Sequence, residues 1–471
     1  MIRAGAALRD SFAAAEGRVL LHDMFGGART GGQLLDRVER LAGALVERGL
    51  AGGRVGLWYR NSLATVEAFL AVEWIGATRV AVDPLAPSAE AEAIFSAAQV
   101  GAVLTDRAHS SAFPLGLVHD DEAPLTGTPT WPDLIVEDDK ALLIYPRAVH
   151  GGRLFGITVS HANWRATMRT NIALFRSGRY GPWDEATECF LAAQQIMHGT
   201  GFVGTFPFLE MGLPQVLVDS FEAKRVLDAI DCHGVTATVL VPQMMAKLVD
   251  AAIEQPGSGA SLEHLLYGGA PVTAEEIRRT MRRFGPILTQ AYGRIEGGWP
   301  ITILGIEEHR AIFAGDDALA ASCGRPVDSI KVKLRPLPDM AADCGELCVA
   351  GEMTARDYIG PDGWCSLGDV MRQDAAGYFF HQGRLDRMIN TGYHVYPAEI
   401  EEAISGVAGV KGARVLGEPD EKWGVTLVAD LVLERETDSQ EVIGRIETAL
   451  RARLAKYKLP RHFRVVASLP A

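Results

Sequence analysis

The feature of this sequence that most constrains its fold is a regular alternation of strand-like and helix-like segments. Apolar residues recur at helical spacing from Leu34 to Leu45, and Gly49 follows where that helix is predicted to end. The strand-like segments RVGLWY and TRVAVD come next, separated by a helix-like segment that Ser62 is predicted to cap. Strands that alternate with helices of ten or more residues form right-handed βαβ units, so this run predicts a buried parallel sheet.

The rest of the chain divides into three parts that differ in their predicted secondary structure. A second alternating run spans about residues 225–293, and short strand-like segments with turns predict a small β-rich part after about residue 323. From about residue 387 the segments predict a compact α+β unit of roughly domain size. We therefore predict an α/β protein with a large N-terminal domain (1–385) of stacked parallel-type sheets with helices plus a small β-rich part, followed by a small α+β C-terminal domain (386–471).

Composition excludes several classes of protein. The chain has 471 residues, 48% of them apolar, which is enough to bury a large core. Its formal net charge is -13, so a nucleic-acid-coating role is not expected, because that role depends on clustered lysine and arginine. No run of eighteen apolar residues occurs, and Arg3, Arg9 and Asp10 interrupt the N-terminus, which makes it a poor signal peptide. We expect a cytoplasmic protein without a membrane span.

Four motifs occur in an order that is typical of one superfamily. They are LLYGGAPVT at 265–273, QAYGRIEGG at 290–298, GWCSLGDV at 363–370 and GRLDRMINTGYHVYPAEIEE at 383–402. Together they resemble the acyl-adenylate-forming superfamily, the ANL enzymes, which includes acyl- and aryl-CoA synthetases, adenylation domains of peptide synthetases and luciferases. The resemblance covers nearly the whole chain. It implies an AMP-forming ligase with a C-terminal domain that moves between two steps of catalysis.

The resemblance assigns nucleotide contacts to particular residues. It implies that Tyr292, followed by Gly293, stacks on adenine and that Glu296 binds the magnesium ion that offsets phosphate charge. It implies that Asp369 accepts hydrogen bonds from both ribose hydroxyls and that Arg384 also contacts the ribose. The alternative for Glu296 is an exposed acid on a surface loop, and the alternative for Arg384 is an ordinary surface ion pair.

Further roles implied by the resemblance concern the acyl pocket and the hinge. A loop of small residues passes beneath the adenine and lines the pocket, namely Gly268, Gly269, Ala270 and Pro271. His198, in IMHGTGF, borders the acyl carboxylate as a gate residue, although a lone histidine is often a satisfied core group. Asp386 is the hinge about which the small domain turns. By motif distance, further pocket neighbours are Gln194, Gln195, Met197 and Trp299.

The segment YPRAVHGGRLFGITVSH, at 145–161, departs from the superfamily pattern. It occupies the place of the phosphate loop, but Phe155 stands where the lysine of that loop is expected. Three residues remain that could face a phosphate, namely Gly151, Gly152 and Arg153, with His150 as a further substitute when protonated. Ile295 replaces a threonine, and the printed sequence does not include the Thr-x-x-Gly-Lys segment that the resemblance implies. Lys456 and Lys458 are not expected to take the role of that lysine.

The sequence supports a leading hypothesis and leaves two alternatives open. In the leading hypothesis, the protein uses ATP and Mg²⁺ to convert a small carboxylic acid to its acyl-AMP, then passes the acyl group to coenzyme A, a carrier-protein thiol or an amine. One alternative is a non-adenylating homologue that binds AMP or an acyl-adenylate, or that catalyses only the second half-reaction. The other is a member that activates a non-carboxylate such as nitrite for nitrogen–nitrogen bond formation. Whether the protein forms a homodimer is open.

Overall fold

The computed structural model describes most of the chain in detail. The described residues are 2–3, 5–110, 116–121, 125, 127–131, 135–150, 153–338, 340–385, 388–420, 423–434, 438–466 and 469. The predicted site residues Gly151, Gly152 and Asp386 lie outside these ranges. No helix of the described residues is long and apolar enough to cross a membrane.

The described residues form fourteen α-helices, and Gly31–Glu47 and Leu63–Trp74 match the first two predicted helices. The fourteen helices are α1 (Ala6–Ala14), α2 (Gly31–Glu47), α3 (Leu63–Trp74), α4 (Ser88–Ala98), α5 (Arg107–Ser110), α6 (His161–Arg176), α7 (Gly199–Glu210), α8 (Ala223–His233), α9 (Pro242–Glu254), α10 (Ala274–Phe284), α11 (Ile306–Ala314), α12 (Asp317–Ala320), α13 (Pro397–Ser405) and α14 (Ser439–Arg453). Short 3₁₀ helices span Arg356–Tyr358 and Lys456–Lys458.

The described strands form two large sheets, a three-stranded C-terminal sheet and two sheets of two strands each. They are β1 (Ile2–Arg3), β2 (Val19–Asp23), β3 (Ala28–Thr30), β4 (Arg54–Trp58), β5 (Thr78–Ala81), β6 (Ala102–Thr105), β7 (Gly116–Val118), β8 (Ile135–Val136), β9 (Ala141–His150), β10 (Arg153–Ser160), β11 (Phe190–Ala192), β12 (Gln215–Leu217), β13 (Ala237–Leu240), β14 (His264–Tyr267), β15 (Leu288–Arg294), β16 (Gly298–Leu304), β17 (Ser322–Pro326), β18 (Lys331–Arg335), β19 (Cys344–Ala350), β20 (Cys365–Gln373), β21 (Phe379–Arg384), β22 (Ile389–Asn390), β23 (His394–Val395), β24 (Val410–Asp420), β25 (Gly424–Leu433) and β26 (His462–Val465).

The first large sheet contains the predicted N-terminal βαβ run. Its strand order is β10-β9-β5-β4-β6-β7, and all neighbouring strands are parallel except the β9–β10 hairpin. Helix α2 buries Leu34, Val38, Leu41 and Leu45 on one face, as the spacing predicts. The Ser62 side chain accepts a hydrogen bond from the Thr65 N–H, so the predicted cap of α3 is confirmed.

The second large sheet has thirteen strands in the order β18-β19-β20-β21-β17-β16-β15-β14-β13-β11-β12-β2-β3. Strands β15, β14, β13, β11, β12 and β2 run parallel, and the strands from β16 to β18 pair antiparallel. The parallel half carries the second predicted βα run, and the antiparallel half is the predicted β-rich part. Both halves meet at β15, which carries the QAYGR motif.

The C-terminal part has a core of its own. Strands β24 and β25 are antiparallel, β26 pairs parallel with β25, and α13 and α14 cover them. Its buried cluster includes Ile400, Leu427, Ile446 and Leu450. The predicted α/β class with a large N-terminal and a smaller C-terminal unit is confirmed. The boundary at residue 386 and the motion about it stay predictions.

Candidate active site

A cavity of about 620 Å³ is lined by residues from both large sheets and from the C-terminal part. The first sheet contributes Asp83 and Arg147, and the second contributes Glu296. Tyr393 and Lys458 line it from the C-terminal part. Parallel strands commonly leave such a cleft beyond their carboxyl ends, where loops bring polar groups together.

Beside this cavity lies a cluster formed by Tyr292, Asp369, His381 and Arg384, here called the Asp369 cluster. Asp369 on β20 stands directly opposite Arg384 on β21 in the sheet register. Asp369 Oδ1 accepts hydrogen bonds from Arg384 Nη1 at 2.5 Å and from His381 Nε2 at 3.1 Å. Asp369 Oδ2 accepts one from the Tyr292 hydroxyl at 2.6 Å. The structure therefore brings together the three residues that the sequence assigned to adenine and ribose.

The charge state of Asp369 is set by these partners. Burial alone would raise the pKa of its carboxyl group, but the hydrogen bond from His381 and the charges of Arg294 and Arg384 lower that pKa to about 2. A carboxylate offers about four acceptor positions, and three hydrogen bonds already occupy most of them. A ribose hydroxyl that reaches Asp369 must therefore share or displace a donor. The His381 side chain is 40% exposed and is the donor most easily displaced.

A second cluster joins the two large sheets and is called here the Glu296 cluster: Arg147, Arg294 and Glu296. Glu296 Oε1 accepts hydrogen bonds from Arg294 Nε at 2.7 Å and from Arg147 Nη2 at 2.9 Å. Glu296 is 3% exposed. Its burial opposes ionisation, but the charges of Arg294 and Arg147 hold the pKa of its carboxyl group below the ordinary value. Arg294 Nη1 also lies 3.7 Å from Asp369 Oδ2, so it links the two clusters.

Arg147 and Arg294 differ in how many hydrogen-bond donors they can direct at a ligand. Arg294 is 5% exposed and directs its guanidinium at two acids. Arg147 makes one hydrogen bond to Glu296, and its guanidinium lies 5.6 Å from the Tyr358 ring centroid and 5.3 Å from that of Tyr396. No described residue accepts a hydrogen bond from Arg147 Nε or Nη1, so both donors face the cavity that Arg147 lines.

The fit of a magnesium ion depends on Glu296. Its Oε1 accepts hydrogen bonds from two guanidinium groups, and its own backbone N–H also stabilises the carboxylate. Among the described residues, no side chain donates a hydrogen bond to its Oε2. One carboxylate oxygen suits a magnesium ion whose other ligands are phosphate oxygens and water, which is how Mg²⁺ is usually held with a nucleotide. The adjacent arginines oppose a dication without such phosphates, so the residues fit an ion that arrives with the triphosphate.

The segment in the place of the phosphate loop is largely a β-hairpin. Strand β9 runs to His150 and β10 begins at Arg153, with Phe155 paired to Ala148. The Phe155 side chain is 50% exposed. Ser160 caps α6 and forms a reciprocal capping box with Asn163, so a helix begins directly after this segment. Arg153 begins β10, and Arg147 of β9 lies on the cavity wall.

The predicted loop of small residues follows β14. A Cβ atom on Gly268 would lie 2.2 Å from the Ala291 carbonyl oxygen, so this close approach requires glycine. Gly269 has φ +87° and lines the cavity, whereas Ala270 and Pro271 continue the loop towards α10. Gly293 also lines the cavity, beside Trp299.

His198 immediately precedes α7 and lines the cavity. Its Nε2 lies 3.0 Å from Asp83 Oδ2. The His198 and Tyr393 rings form a T-shaped contact with a centroid distance of 5.6 Å. The predicted pocket neighbours Gln194, Gln195, Met197 and Trp299 line the same cavity. Apolar walls are added by Val159, Trp164, Ile295 and Met353.

Lys458 connects the C-terminal part to the first sheet. It is 5% exposed, donates a hydrogen bond to Glu90 of α4, and lies 3.0 Å from Glu399 Oε2 of α13. The Ala455 N–H also donates to Glu90 Oε2 at 2.7 Å. In this arrangement Lys458 lines the cavity but its ammonium is held by two carboxylates.

Sequence reasoning missed four residues of this site, one of which is His381 on β21. Arg147 lies on β9 within the segment at 145–161, but before the residues of that segment that were expected to face a phosphate. Asp83 follows β5 without a motif of its own. Arg294 lies inside the QAYGRIEGG motif, at a position that the superfamily pattern leaves unspecified, so only its charge could have identified it. The clusters become visible only when both sheets are in place.

The geometry agrees with a family comparison. The AMP-binding enzyme family matches residues 8–143 and 152–359, and the AMP-binding enzyme C-terminal domain matches residues 399–471. The chain belongs to the AMP-binding enzyme family. The predicted function is confirmed at this level: the protein is an AMP-forming ligase that activates an acid with ATP.

Two curated relatives illustrate the range of this family. The chain is 28% identical to the medium/long-chain-fatty-acid–CoA ligase FadD8 of Mycobacterium tuberculosis, covering 94% of this chain and 83% of the relative. It is 29% identical to a feruloyl-CoA synthase of an Amycolatopsis species, covering 94% and 91% of the two chains. The acids in these names differ in shape and polarity.

Solved structures share the fold at lower identity. The amide bond synthetase McbA from Marinactinospora thermotolerans matches with a TM-score of 0.83 at 23% identity, covering 98% of this chain and 96% of that one. A double mutant of o-succinylbenzoate CoA synthetase from Bacillus subtilis, bound with its product analogue, matches with a TM-score of 0.85 at 22% identity, covering 98% and 95%.

Proposed function

We propose that the protein binds the nucleoside of ATP at the Asp369 cluster and its phosphates at Arg147. The observation that supports this proposal most directly is the position of Arg147, which lies on the cavity wall with donors left over after its bond to Glu296. Phosphate recognition needs charge-assisted donors, and a guanidinium supplies two in a fixed fork. Arg147 thus compensates for the lysine that the hairpin lacks.

Magnesium in this proposal is part of the substrate. Glu296 Oε2 provides one oxygen ligand to an ion carried by the triphosphate, and phosphate and water provide the others. Arg294 keeps Glu296 and Asp369 ionised and fixed in position, because its guanidinium faces both carboxylates. The bound magnesium ion would supply further neutralisation of phosphate charge.

The acid is proposed to be a small carboxylic acid with an apolar body. The cavity is lined by Val159, Trp164, Ile295, Trp299 and Met353, so a chain or ring of carbon atoms is desolvated there. Gln194 and His198 add polar groups to its lining. Coenzyme A, a carrier-protein thiol and an amine are the proposed classes of acceptor.

The decisive experiment is acid-dependent exchange of labelled pyrophosphate into ATP. A panel of aliphatic and aryl acids with three to twelve carbon atoms is assayed with MgATP, and nitrite is included as a non-carboxylate. The expected result is exchange with at least one apolar acid that falls about tenfold to a hundredfold in Arg147→Ala, the effect of losing one charge-assisted hydrogen bond.

The matched control is Arg176→Ala, which removes an exposed arginine paired with Glu185 far from the cavity walls. It should leave exchange unchanged. Tight AMP binding without exchange for any acid would reject the ATP-dependent step and favour a homologue limited to acyl-adenylates. Exchange with nitrite alone would instead favour activation of a non-carboxylate.

A further inference from the structure

The cavity contains a histidine–carboxylate pair that the nucleotide contacts do not use. His198 Nε2 and Asp83 Oδ2 are 3.0 Å apart. The other oxygen of the same carboxylate, Oδ1, accepts a hydrogen bond from the Leu85 N–H at 2.7 Å. Both oxygens of Asp83 are therefore fixed, and so is the ring that faces it.

The pair is arranged so that one ring nitrogen remains available. When His198 is neutral, the Asp83 carboxylate selects the tautomer with hydrogen on Nε2, because a carboxylate accepts a hydrogen bond but cannot donate one. That tautomer leaves a lone pair on Nδ1. Among the described residues, none donates a hydrogen bond to His198 Nδ1, and the His198 side chain is 24% exposed at the cavity wall.

The surroundings of the pair keep Asp83 ionised. Burial would raise the pKa of the Asp83 carboxyl group, but hydrogen bonding to His198 and the Leu85 N–H, with the charge of Lys458, take it below the ordinary value. The titratable or charged groups packed around the pair come from β9 and the C-terminal part: Tyr145, Tyr393, Tyr457 and Lys458. Burial raises the pKa of each of the three tyrosines, so they stay neutral at physiological pH.

The chemistry of the two steps decides where a base is needed. A carboxylic acid is already ionised near neutral pH, so its attack on ATP requires no proton removal. A thiol or amine acceptor must lose a proton as it attacks the acyl-adenylate. A general base is therefore useful in the transfer step and has no task in the activation step.

We propose that Asp83 and His198 form a general-base dyad for acyl transfer, an inference that rests on the proposed function. The acceptor, written X–H, attacks the acyl carbonyl carbon of the acyl-adenylate. The C–X bond forms, the X–H proton moves to His198 Nδ1, and the bond between the acyl carbon and the phosphate oxygen breaks. AMP leaves with that oxygen and its electron pair. Asp83 is the positioning residue, because it orients the ring and stabilises the imidazolium that forms.

The test bypasses ATP by supplying preformed acyl-adenylates. Benzoyl-AMP and hexanoyl-AMP are mixed with excess enzyme and either coenzyme A or benzylamine, and product formation in a single turnover is followed from pH 5.5 to 9 against an enzyme-free blank. His198→Gln is expected to lower the transfer rate by about 10²–10⁴-fold, the usual contribution of a general base. The same variant should lose the acidic limb of the pH–rate profile.

Asp83→Asn separates a positioning role from a merely structural one. Without the carboxylate, the imidazolium is less stabilised, so the acidic limb of the pH–rate profile should move towards lower pH. The transfer rate should fall, and the half-saturating adenylate concentration should stay constant. His462→Gln, an exposed histidine on β26, is the matched control and should behave as the wild type. An Asp83→Asn profile with an unmoved limb, or a His198→Gln rate within threefold of the wild type, overturns the dyad.

A second measurement protects the test against a folding defect. His198→Ala is assayed with added imidazole, which should restore part of the transfer rate in a concentration-dependent way while AMP binding remains intact. Absence of rescue in a folded, AMP-binding variant counts against the dyad. Wild-type enzyme that exchanges pyrophosphate but transfers neither acyl group also overturns it, leaving the proposed function intact. Transfer from preformed adenylates without exchange rejects the ATP step and leaves the dyad standing.

Discussion

The Asp369 cluster and the Glu296 cluster lie side by side but are built in different ways. Asp369, His381 and Arg384 are cross-strand neighbours on β20 and β21, so strand register alone brings them together. Arg147 reaches Glu296 from the other large sheet, across 149 positions of sequence. The first cluster depends on pairing within one sheet, and the second depends on how two sheets pack.

This difference indicates which contacts can change without loss of the fold. A cross-strand pair is fixed by ladder hydrogen bonds on both sides. A contact between sheets is fixed by packing of the intervening side chains. An arginine at a position that no motif specifies, such as Arg147, can therefore make such a contact. In the proposed function, the acids that bind the nucleotide are held by strand register, and the cationic partner for phosphate comes from the hairpin.

The largest expected effect comes from breaking the register-defined cluster. Asp369→Asn leaves Arg384 and His381 without their anionic partner and leaves Arg294 with Glu296 alone. Breaking such a buried charge set costs about 3–5 kcal/mol. We expect AMP affinity, measured by isothermal titration calorimetry, to fall by at least a hundredfold. Asp328→Asn, an exposed aspartate, serves as the control. Retained affinity in Asp369→Asn would show that this cluster does not bind the nucleoside.

The contact between sheets is tested by two arginines of the same hairpin. Arg147→Ala should raise the KM for ATP about tenfold to a hundredfold and change AMP affinity less, because AMP lacks the β- and γ-phosphates. Arg147→Lys should fall between the wild type and Arg147→Ala, since it keeps the charge but not the fork. A larger effect in Arg153→Ala than in Arg147→Ala would reverse this assignment and restore the phosphate contact predicted from the sequence.

A smaller effect is expected on the pH dependence of the unfolding free energy, to which the Asp369 cluster contributes. The pKa of Asp369 is about 2 in the folded protein, below its ordinary value of 3.8, so its charge stabilises the fold above pH 4 and that contribution is lost as pH falls towards 2. The shift corresponds to about 2.5 kcal/mol. The difference in unfolding free energy between wild type and Asp369→Asn, measured with urea, should shrink from pH 7 to pH 2.5. A difference that is constant with pH would contradict the ion-pair account.

The smallest expected effect concerns the contact between the N-terminal and C-terminal parts. Lys458→Met leaves Glu90 and Glu399 without their cation. Because water can reach the two carboxylates as the parts separate, we expect the contact between the parts to weaken by only about 1–3 kcal/mol. Hydrogen exchange of α4 amides should accelerate by an order of magnitude or more. Lys456→Met, two residues earlier and exposed, is the matched control. Equal exchange in both variants would show that Lys458 does not hold the two parts together.

Most of the fold was predictable because its local signals agree. The spacing of Leu34 to Leu45, the cap at Ser62, and the alternation of strands with helices all match the observed elements. The hairpin of β9 and β10 was not predicted, although two glycines between strand-like runs are a hairpin signal. The segment was interpreted instead as a phosphate loop without its lysine.

The sequence by itself determined the family, the alternation of helices and strands in the two βα runs, and the expectation that Asp369 and Arg384 serve one ribose site. Those features depend on local periodicity and on motifs whose members lie on paired strands. The tertiary structure alone decided that Arg147 contacts Glu296, that Asp83 orients His198 across 115 positions of sequence, and that Lys458 is held by Glu90. Each of these contacts joins separate sheets or parts of the chain, where side-chain packing determines which charges meet.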